Sequence, residues 1–235
     1  MTSTMQAYQR GLVGDAQDAI GELSAPSKMP GTSYGIAASL CNVGGKLRDI
    51  AGSVCHDCYA FKGRYVMPVV GAAHARRMRA MLRPDWAPMM ATAIGRTRFH
   101  RWHDSGDVQD MRHLIKIVAV AMLRPDVAFW LPTREYALIA AYERAGGTFP
   151  PNLAVRKSAP MVGASFPDRA GLSSMVLAPG DTAPAGTYVC NASHTRKDGT
   201  TVDEITRENR GDLGHCGDCR ACWSTSNIRT AYPIH

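Results

Sequence analysis

The sequence predicts an α/β fold, a partial or small (βα) barrel with parallel strands and an irregular, cysteine-rich C-terminal tail. Short apolar segments alternate with segments of helical periodicity between residues 98 and 178, which is the pattern of consecutive βαβ units. Glycine and proline mark the junctions between these segments. The length of 235 residues suits one compact core with a small appendage.

Five strands are expected in the central part of the chain. The first would deliver Cys41 at its C-terminal end. The second is broken by Asp104-Ser105-Gly106, and a turn at Pro132 follows the third. The predicted strands cover residues 33–40, 98–103, 127–131, 152–156 and 174–178.

Four helices are predicted from apolar spacings of three and four residues. In the third, Leu114, Val118 and Met122 form one stripe. Pro84 stands where the second helix can begin, and Gly146 follows the last residue of the fourth. The predicted helices cover residues 67–82, 85–95, 109–123 and 135–145.

The chain divides into three parts by composition. Residues 1–33 lack clear periodicity and are expected to wrap the surface, whereas residues 34–178 form the α/β core. Residues 179–235 are too poor in apolar side chains to make a core of their own. We therefore predict that a metal stabilises this tail and that it packs on the core.

Charge and hydropathy limit the classes of function. The formal net charge of +7, from 27 Lys and Arg against 20 Asp and Glu, favours an anionic partner such as nucleic acid. A solvated helix face around the basic residues 74–79 explains the same charge. No apolar stretch is long enough to span a bilayer, and none resembles a secretory signal. We expect a cytoplasmic protein without a membrane partner.

The seven cysteines form two groups that indicate metal binding. Disulfides are rare in a cytoplasmic protein, and an odd number leaves one cysteine unpaired. The tail cysteine group offers four sulfurs, enough for a [4Fe–4S] cluster or, as the alternative, for a zinc ion. This group consists of Cys190, Cys216, Cys219 and Cys222. Because all its ligands are cysteines, the tail centre would be structural or electron-carrying.

The first cysteine group has only three members, Cys41, Cys55 and Cys58. Three thiolates on a [4Fe–4S] cluster leave one iron open to a substrate or cofactor. His56 or His74 could serve as a fourth ligand, which would close the site. The sequence therefore predicts one or two clusters, and a redox reaction would require an electron donor as partner.

Polar residues follow the second predicted strand, where parallel α/β folds place their active sites. The predicted catalytic residues are His103, Asp104, Asp107 and Arg134. Arg134 suits a carboxylate or phosphate. Ser105 and Gly106 are predicted to bind a cofactor, because glycine lets the backbone approach a ligand closely. The alternative is that Ser105 or Asp107 caps the following helix. The strand-end rule also points to residues 133–135 and 156–158.

On these motifs the chain resembles a family of bacteriophage proteins. The shared features are an early three-cysteine segment ending in Cys58-Tyr59, a His-x-Ser-Gly-Asp turn at residues 103–107, and a cysteine-rich tail. The resemblance extends over roughly residues 29–235. It implies phage origin and iron–sulfur binding rather than a particular activity.

The layout is also similar to that of radical S-adenosylmethionine enzymes. That resemblance implies a catalytic cluster on the first cysteine group and S-adenosylmethionine bound at residues 105–107. The family's usual gap of three residues is replaced here by thirteen between Cys41 and Cys55, and the turn has one glycine instead of two. Residues 104–109 are similar to a segment of guanine transglycosylases, which are barrel enzymes with a cysteine-rich zinc site.

Together these features predict a phage-encoded iron–sulfur protein of redox or radical type. Its open iron would lie at the barrel mouth and act on a small-molecule or nucleotide substrate. The alternative is a metal-stabilised protein that binds nucleic acid, or modifies its bases as guanine transglycosylases do, without redox chemistry.

Overall fold

The computed structural model of the chain describes residues 3–168 and 171–234, with side chains except at residues 3–10 and 210. The strands are β1 (Thr32–Tyr34), β2 (Phe99–Trp102), β3 (Ala128–Thr133), β4 (Leu153–Val162), β5 (Ser173–Leu177), β6 (Thr187–Val189) and β7 (Arg229–Pro233). The helices are α1 (Ser3–Ile20), α2 (Asn42–Leu47), α3 (Pro68–Ala80), α4 (Trp86–Ala93), α5 (Met111–Leu123) and α6 (Tyr136–Arg144).

The seven strands form one sheet in the order β1-β2-β3-β4-β5-β7-β6, and every neighbouring pair is parallel. The predicted α/β class with parallel strands is confirmed, and the sheet is not closed. Since all strands run in the same direction, they end at one edge, called here the C-terminal edge. Residues after β1, β2 and β3 therefore meet there.

One face of the sheet carries the main hydrophobic core. Trp102 of β2 stacks on Phe129 of β3 with ring centroids 6.1 Å apart. Buried Trp86 of α4 and Leu114 of α5 cover this face, because both helices have one apolar side. Within the described residues, no helix is long and apolar enough to cross a membrane.

The tail covers the opposite face of the sheet. Phe99 and Arg101 alternate with the core-facing residues of β2, and Arg101 is in register with Trp130 of β3. Trp223 of the tail lies against Phe99 and Trp130, at centroid distances of 5.7 and 5.4 Å. The helices and the cysteine-rich tail therefore occupy opposite sides of one sheet.

The N-terminal part differs from the surface segment expected over residues 1–33. It contains α1, which packs against α4 and buries Ala16 and Ile20. Glycines and polar residues interrupt the apolar stripe of α1, so its periodicity was weak in the sequence. The first strand also ends at Tyr34 instead of residue 40. Beyond it, the N–H of Ile36 bonds the carbonyl of Ser105, at 2.9 Å, in the turn after β2.

The tail is more regular than the predicted irregular segment. It contributes β7, which pairs with β5, and β6, which pairs with β7. A second, smaller core under these strands consists of Ala159, Phe166, Met175, Leu177 and Ala231. The two strands are short and lie about forty residues apart in the chain. They become strands only because the sheet aligns them, which sequence patterns do not reveal.

The cap of α5 is Asp110, whose carboxylate accepts the N–H of His113 at 2.7 Å. The alternative that Ser105 or Asp107 caps this helix is therefore wrong. The predicted helix began at residue 109, and the true start two residues later leaves Asp110 in the cap position. Asp107 is consequently free to bond elsewhere.

Buried histidines make stability dependent on pH. Burial lowers the pKa of His100 to about 3 and that of His113 to about 4. In the unfolded chain both titrate near the ordinary value of about 6.5. Between about pH 4 and 6.5 the unfolded state therefore binds more protons than the folded state, and stability falls as the pH is lowered through this window.

We expect the substitution His113→Asn to weaken this dependence. Asparagine retains an acceptor for the N–H of Gln109, which lies 3.3 Å from His113 Nδ1, but it does not titrate. The difference in bound protons between the unfolded and the folded state should fall by almost one. The slope of unfolding free energy against pH should therefore fall by about 1.4 kcal/mol per pH unit. Urea unfolding at several pH values between 4.5 and 6 measures this slope. An unchanged slope would mean that His113 is charged in the folded protein.

Candidate active site and metal centre

The first cysteine group lies in the loops after β1, at the C-terminal edge. Cys41 directly precedes α2, and Cys55 and Cys58 share a turn closed by a 3.3 Å bond from Cys58 N–H to the carbonyl of Cys55. The N–H of Val54 bonds the carbonyl of Pro160 at 2.9 Å. This contact attaches the cysteine loop to β4.

Two sulfurs of the first cysteine group face one small space beside Gly44. A methyl group added at Gly44 would stand 3.6 Å from Cys41 Sγ and 3.4 Å from Cys55 Sγ. Burial, reinforced by Asp107 and the neighbouring cysteines, raises the pKa of Cys41 to about 12. Burial also raises the pKa of Cys55. Without a bound cation these thiols stay protonated and weakly nucleophilic, whereas a coordinated metal deprotonates them.

The Asp107 carboxylate joins the turn after β2 to the end of β3. Its Oδ1 accepts the Thr133 hydroxyl and the Val108 N–H, each at 2.7 Å, and its Oδ2 accepts the N–H of Arg134 at 2.9 Å. Burial raises its pKa to about 6, although the hydrogen bonds oppose this shift. Asp107 thereby positions Arg134. The positive charge of Arg134 opposes the rise in the pKa of Cys55 that burial causes.

Glu135 links the end of β3 to the loop of Cys41. Its buried carboxylate accepts the N–H of Val43 at 2.9 Å, in the first turn of α2. Two acidic residues therefore connect β2, β3 and the first cysteine group. The structure brings Asp107 and Arg134, both predicted catalytic residues, close to these cysteines.

Asp104 contacts the segment that follows Cys58. Its carbonyl accepts the Tyr59 hydroxyl, and its Oδ2 accepts the Tyr65 hydroxyl at 3.2 Å. Its Oδ1 is buried and has no hydrogen-bond partner within the described part of the chain. Asp104 therefore holds the tyrosines after the first cysteine group and leaves one oxygen available.

His103, Ser105 and Gly106 form the tight part of the turn after β2. His103 is buried with a left-handed backbone, φ 56°, and its ring packs against His113 at 5.2 Å. Among the described residues, neither its ring nitrogens nor the Ser105 hydroxyl have a partner. Gly106 has φ 83°, and a side chain there would overlap Ile36. The close approach that this glycine permits is to Ile36.

The tail cysteine group surrounds one cavity of about 50 Å³. All four cysteines of the group line this cavity, together with Tyr188, Trp223 and Tyr232. The Tyr188 hydroxyl donates to Cys219 Sγ at 2.9 Å, and the Tyr232 hydroxyl lies 3.2 Å from Cys222 Sγ. Burial raises the pKa of Cys222 to about 11. The four cysteines thus meet although up to 31 residues of chain lie between them.

A wider cavity of about 250 Å³ borders Cys216 from the outside. Lys28 and Arg220 are among its lining residues. The Lys28 ammonium donates to the carbonyl of Leu213, and Arg220 donates to that of Gly217, each at 2.7 Å. This cleft connects the surface with one residue of the tail cysteine group.

Arg156 lies in the middle of β4 instead of at the end of a shorter strand, where the predicted boundary at residue 156 placed it. The strand continues because Lys157 and Ser158 pair with Ser173 and Ser174 of β5. Arg156 is fully buried and its side chain reaches the carbonyls of the tail. It therefore contacts the tail rather than the C-terminal edge.

No group of three or more His, Cys, Asp or Glu side chains among the described residues is arranged to hold a metal ion. The two alternative fourth ligands of the first cysteine group have other contacts. His56 is exposed, with Nδ1 2.9 Å from the carbonyl of Arg48. His74 is buried on α3, where Arg77 and Asp104 are its charged neighbours.

The basic segment at residues 74–79 is largely engaged in internal contacts. Arg77 is buried and donates to the carbonyls of Glu22 and Gly35, at 2.9 and 3.0 Å. Arg76 pairs with the Glu22 carboxylate at 2.8 Å. These bonds fasten α3 to the segment around β1, whereas Arg79 of the same segment is exposed.

Sequence reasoning missed the tyrosines and Arg101 beside the tail cysteine group. Tyr188 precedes Cys190 by two residues, and alternate residues of a strand share a face, so this spacing was a usable signal. Tyr232 and Arg101 approach the cysteines only through the pairing of distant strands. Local sequence contains no comparable signal for either residue.

Gly44 and Gly45 offer a matched pair of substitutions. A methyl group at Gly44 would lie 3.1 Å from Cys41 Cβ, whereas none of the surrounding atoms lies within 4 Å of one at Gly45. If the first cysteine group binds the predicted metal, Gly44→Ala should lower its occupancy several-fold. Gly45→Ala should retain the metal and stabilise α2 by up to about 1 kcal/mol. Metal content per chain and urea unfolding test both; equal metal loss in the two variants would contradict the geometry.

Comparison with protein families matches residues 7–225 to the family described as gene product 88. No curated protein and no solved structure matches the chain. The family match supports the predicted bacteriophage origin. Because the match spans most of the sequence, the protein belongs to the gene product 88 family.

Proposed function

We propose that this protein is an iron–sulfur enzyme of redox or radical type with two separate centres. The observation that carries the proposal is the division of its sulfurs. Three lie at the C-terminal edge beside Asp107 and Arg134, and four line one cavity across the sheet. Cys41, Cys55 and Cys58 would hold a cluster with an open iron, and the tail cysteine group a closed one. When bound, such clusters transfer single electrons, and an open iron can bind a substrate.

The tail cavity favours a cluster over zinc. Zinc draws four sulfurs to about 2.3 Å from a single ion, whereas each thiolate of a [4Fe–4S] cluster binds a different iron. The tail sulfurs surround a cavity of about 50 Å³, several times the roughly 10–15 Å³ that a water molecule requires. Zinc remains the alternative metal for this site.

The C-terminal edge suits a substrate with an anionic group. Arg134 is fixed there through its N–H to Asp107, and its Nε donates to the carbonyl of Ala159 at 3.2 Å. A guanidinium held in this way binds carboxylates and phosphates well. His103 and Asp104 add buried polar atoms without partners among the described residues, and these atoms could bond a ligand. We propose a small-molecule or nucleotide substrate at this edge.

S-adenosylmethionine as cofactor stays a prediction. Ile36 fills the space beside Gly106, where the resemblance implied an opening for the cofactor. The Ser105 hydroxyl is buried without a partner in the described residues, which is the one feature that favours a ligand. We therefore assign no step to this cofactor.

The open sheet is proposed to curve as a partial barrel around the tail. Arg101, Trp130 and Arg156 would then line its interior together with Trp223, in agreement with their shared sheet face.

All seven cysteines are free thiols, which suits the reducing cytoplasm of an infected host cell.

Purification without oxygen tests the proposal directly. We expect about eight irons and eight sulfides per chain, with broad absorption at about 400 nm. A Cys41→Ser/Cys55→Ser/Cys58→Ser variant should retain about four of each. Because an open iron is accessible, oxygen should remove the first cluster faster than the second. Zinc without sulfide would contradict the proposal.

A zinc result would instead favour the metal-stabilised nucleic-acid-binding or base-modifying alternative. The internal bonds of Arg76 and Arg77 argue against a free basic face at residues 74–79. We therefore keep this alternative as an outcome of the metal analysis. Retained nucleic-acid affinity in the triple cysteine variant would support it.

A further inference from the structure

The buried Arg156 is the least expected residue of the sheet. Its side chain is completely inaccessible to solvent, although arginine is almost never fully buried unless it is paired. Nη1 donates to the carbonyls of Ser173 and Ile228, at 3.3 and 2.5 Å, and Nη2 to those of Ala221 and Ser224, at 3.1 and 3.4 Å. The Nε atom is buried without a partner in the described part of the chain.

These bonds give partners to both terminal nitrogens of Arg156 but do not neutralise its charge. Carbonyl oxygens are neutral, and no carboxylate among the described residues forms an ion pair with this guanidinium. A buried charge without a counter-charge is strongly unfavourable. Its electrostatic neighbours are Tyr232 and Cys222. Burial raises the pKa of Tyr232 and keeps its hydroxyl neutral, so Cys222 is the neighbour that can supply negative charge, as a metal-bound thiolate.

Cys222 belongs to the tail cysteine group, so the missing charge coincides with a proposed metal centre. Four thiolates outweigh the positive charge of either a zinc ion or an oxidised [4Fe–4S] cluster, and the loaded centre is therefore an anion. Arg101 is a second cation nearby: Tyr59 and Asp104 are its stronger electrostatic neighbours, and its charge also acts on Tyr232 and Cys216. Its guanidinium lies 4.5 Å from the ring of Trp130.

We infer that Arg156 is the internal counter-ion of an anionic metal–thiolate centre at the tail, and that it raises the reduction potential of a cluster bound there. This inference rests on the proposed function. Reduction adds one electron, supplied by an external one-electron donor, to a centre that is already negative. A fixed cation beside Cys222 stabilises the added charge, and burial keeps water from screening it. Arg156 is a positioning residue, because it acts through the cysteines.

The substitutions Arg156→Met, Arg156→Gln and Arg156→Lys separate charge from hydrogen bonding. Met and Gln remove the charge, whereas Gln retains one donor group and Lys retains the charge with fewer bonds. Arg144→Met, on the exposed end of α6, is the control for a change in net charge. Each protein is purified without oxygen and titrated with dithionite while its visible absorption is followed. The transition that survives in the triple variant of the first cysteine group identifies the tail cluster.

We expect the neutral variants to lower the equilibrium constant for reduction of the tail cluster at least tenfold, which corresponds to 59 mV for one electron. Arg156→Lys should lower the reduction potential by less than half as many millivolts, and Arg144→Met should leave the potential unchanged. If Arg156→Met does not fold, Arg156→Gln carries the test. An unchanged potential in a neutral variant that retains its cluster would overturn the inference and leave the proposed function intact.

If the tail binds zinc, the measured quantity is the rate of zinc release to a chelator. The neutral variants should release zinc at least tenfold faster than wild type, and Arg156→Lys should remain close to wild type. Equal rates in all proteins would overturn the counter-ion role. A wild-type protein with no metal at the tail would overturn both this inference and the proposed function.

Discussion

Replacing Cys222 with serine should remove the tail centre and release the tail from the sheet. Cys222 lines the cavity shared by the four cysteines and contacts the hydroxyl of Tyr232. Metal binding at all-cysteine sites contributes folding free energy directly, about 10 kcal/mol or more for structural zinc in small peptides. We therefore expect the variant to lose about half of its bound metal. The unfolding free energy should fall by several kcal/mol.

The loss should be visible as local exposure of the tail. Trp223 would leave its contacts with Phe99 and Trp130, and protease cleavage within residues 195–211 should accelerate. Metal analysis, tryptophan fluorescence and limited proteolysis measure these effects. Cys58→Ser is the matched control, because it removes a sulfur of the first cysteine group and should leave the tail protected. Equal protection of the tail in both variants would exclude a stabilising metal there.

Asp107→Ala should destabilise the C-terminal edge and displace Arg134. The substitution leaves the Thr133 hydroxyl and the N–H groups of Val108 and Arg134 without their acceptor. Each buried group left unsatisfied costs about 1–3 kcal/mol. With partial compensation by water, we expect an unfolding free energy lower by about 2–5 kcal/mol. Metal at the first cysteine group should also bind less tightly, since Glu135 follows Arg134 and holds the loop of Cys41.

Asp110→Ala provides the comparison on the same turn. Its carboxylate is exposed and caps α5 with one bond to His113, so its removal should cost about 1 kcal/mol. Urea unfolding and metal titration of Asp107→Ala and Asp110→Ala measure the two losses of stability and the change in metal affinity. If the two substitutions cost the same, Asp107 is no more than a second cap and does not position Arg134.

Local sequence patterns were sufficient for the central part of the fold. The alternation of β2, α5, β3, α6 and β4 follows from apolar spacing, and these elements lie within two residues of their predicted bounds, except that β4 extends six residues further at its C-terminal end. The rule that parallel strands share an edge correctly brought Asp107 and Arg134 together with the first cysteine group. Such features are local, or follow from topology alone, and a sequence contains both.

The elements that sequence reasoning missed depend on distant partners. α1 has an interrupted apolar stripe and buries Ile20 only because α4 lies beside it. The tail strands β6 and β7 are too short to show a period, and the sheet aligns them after residues 190–228 have crossed its face. A partner far away in the chain leaves no pattern in the segment itself.

The amino-acid sequence was enough to predict the α/β class, the grouping of seven cysteines and the candidate residues of the C-terminal edge. What those residues contact became visible in the folded chain. The structure shows that Asp107, a predicted catalytic residue with a helix cap as the alternative, links the turn after β2 to the end of β3, and it moves Arg156 from that edge to the tail cysteines. The reason is physical: chemistry resides in side-chain types, which a sequence states outright, whereas burial and charge pairing depend on which surfaces the fold brings into contact.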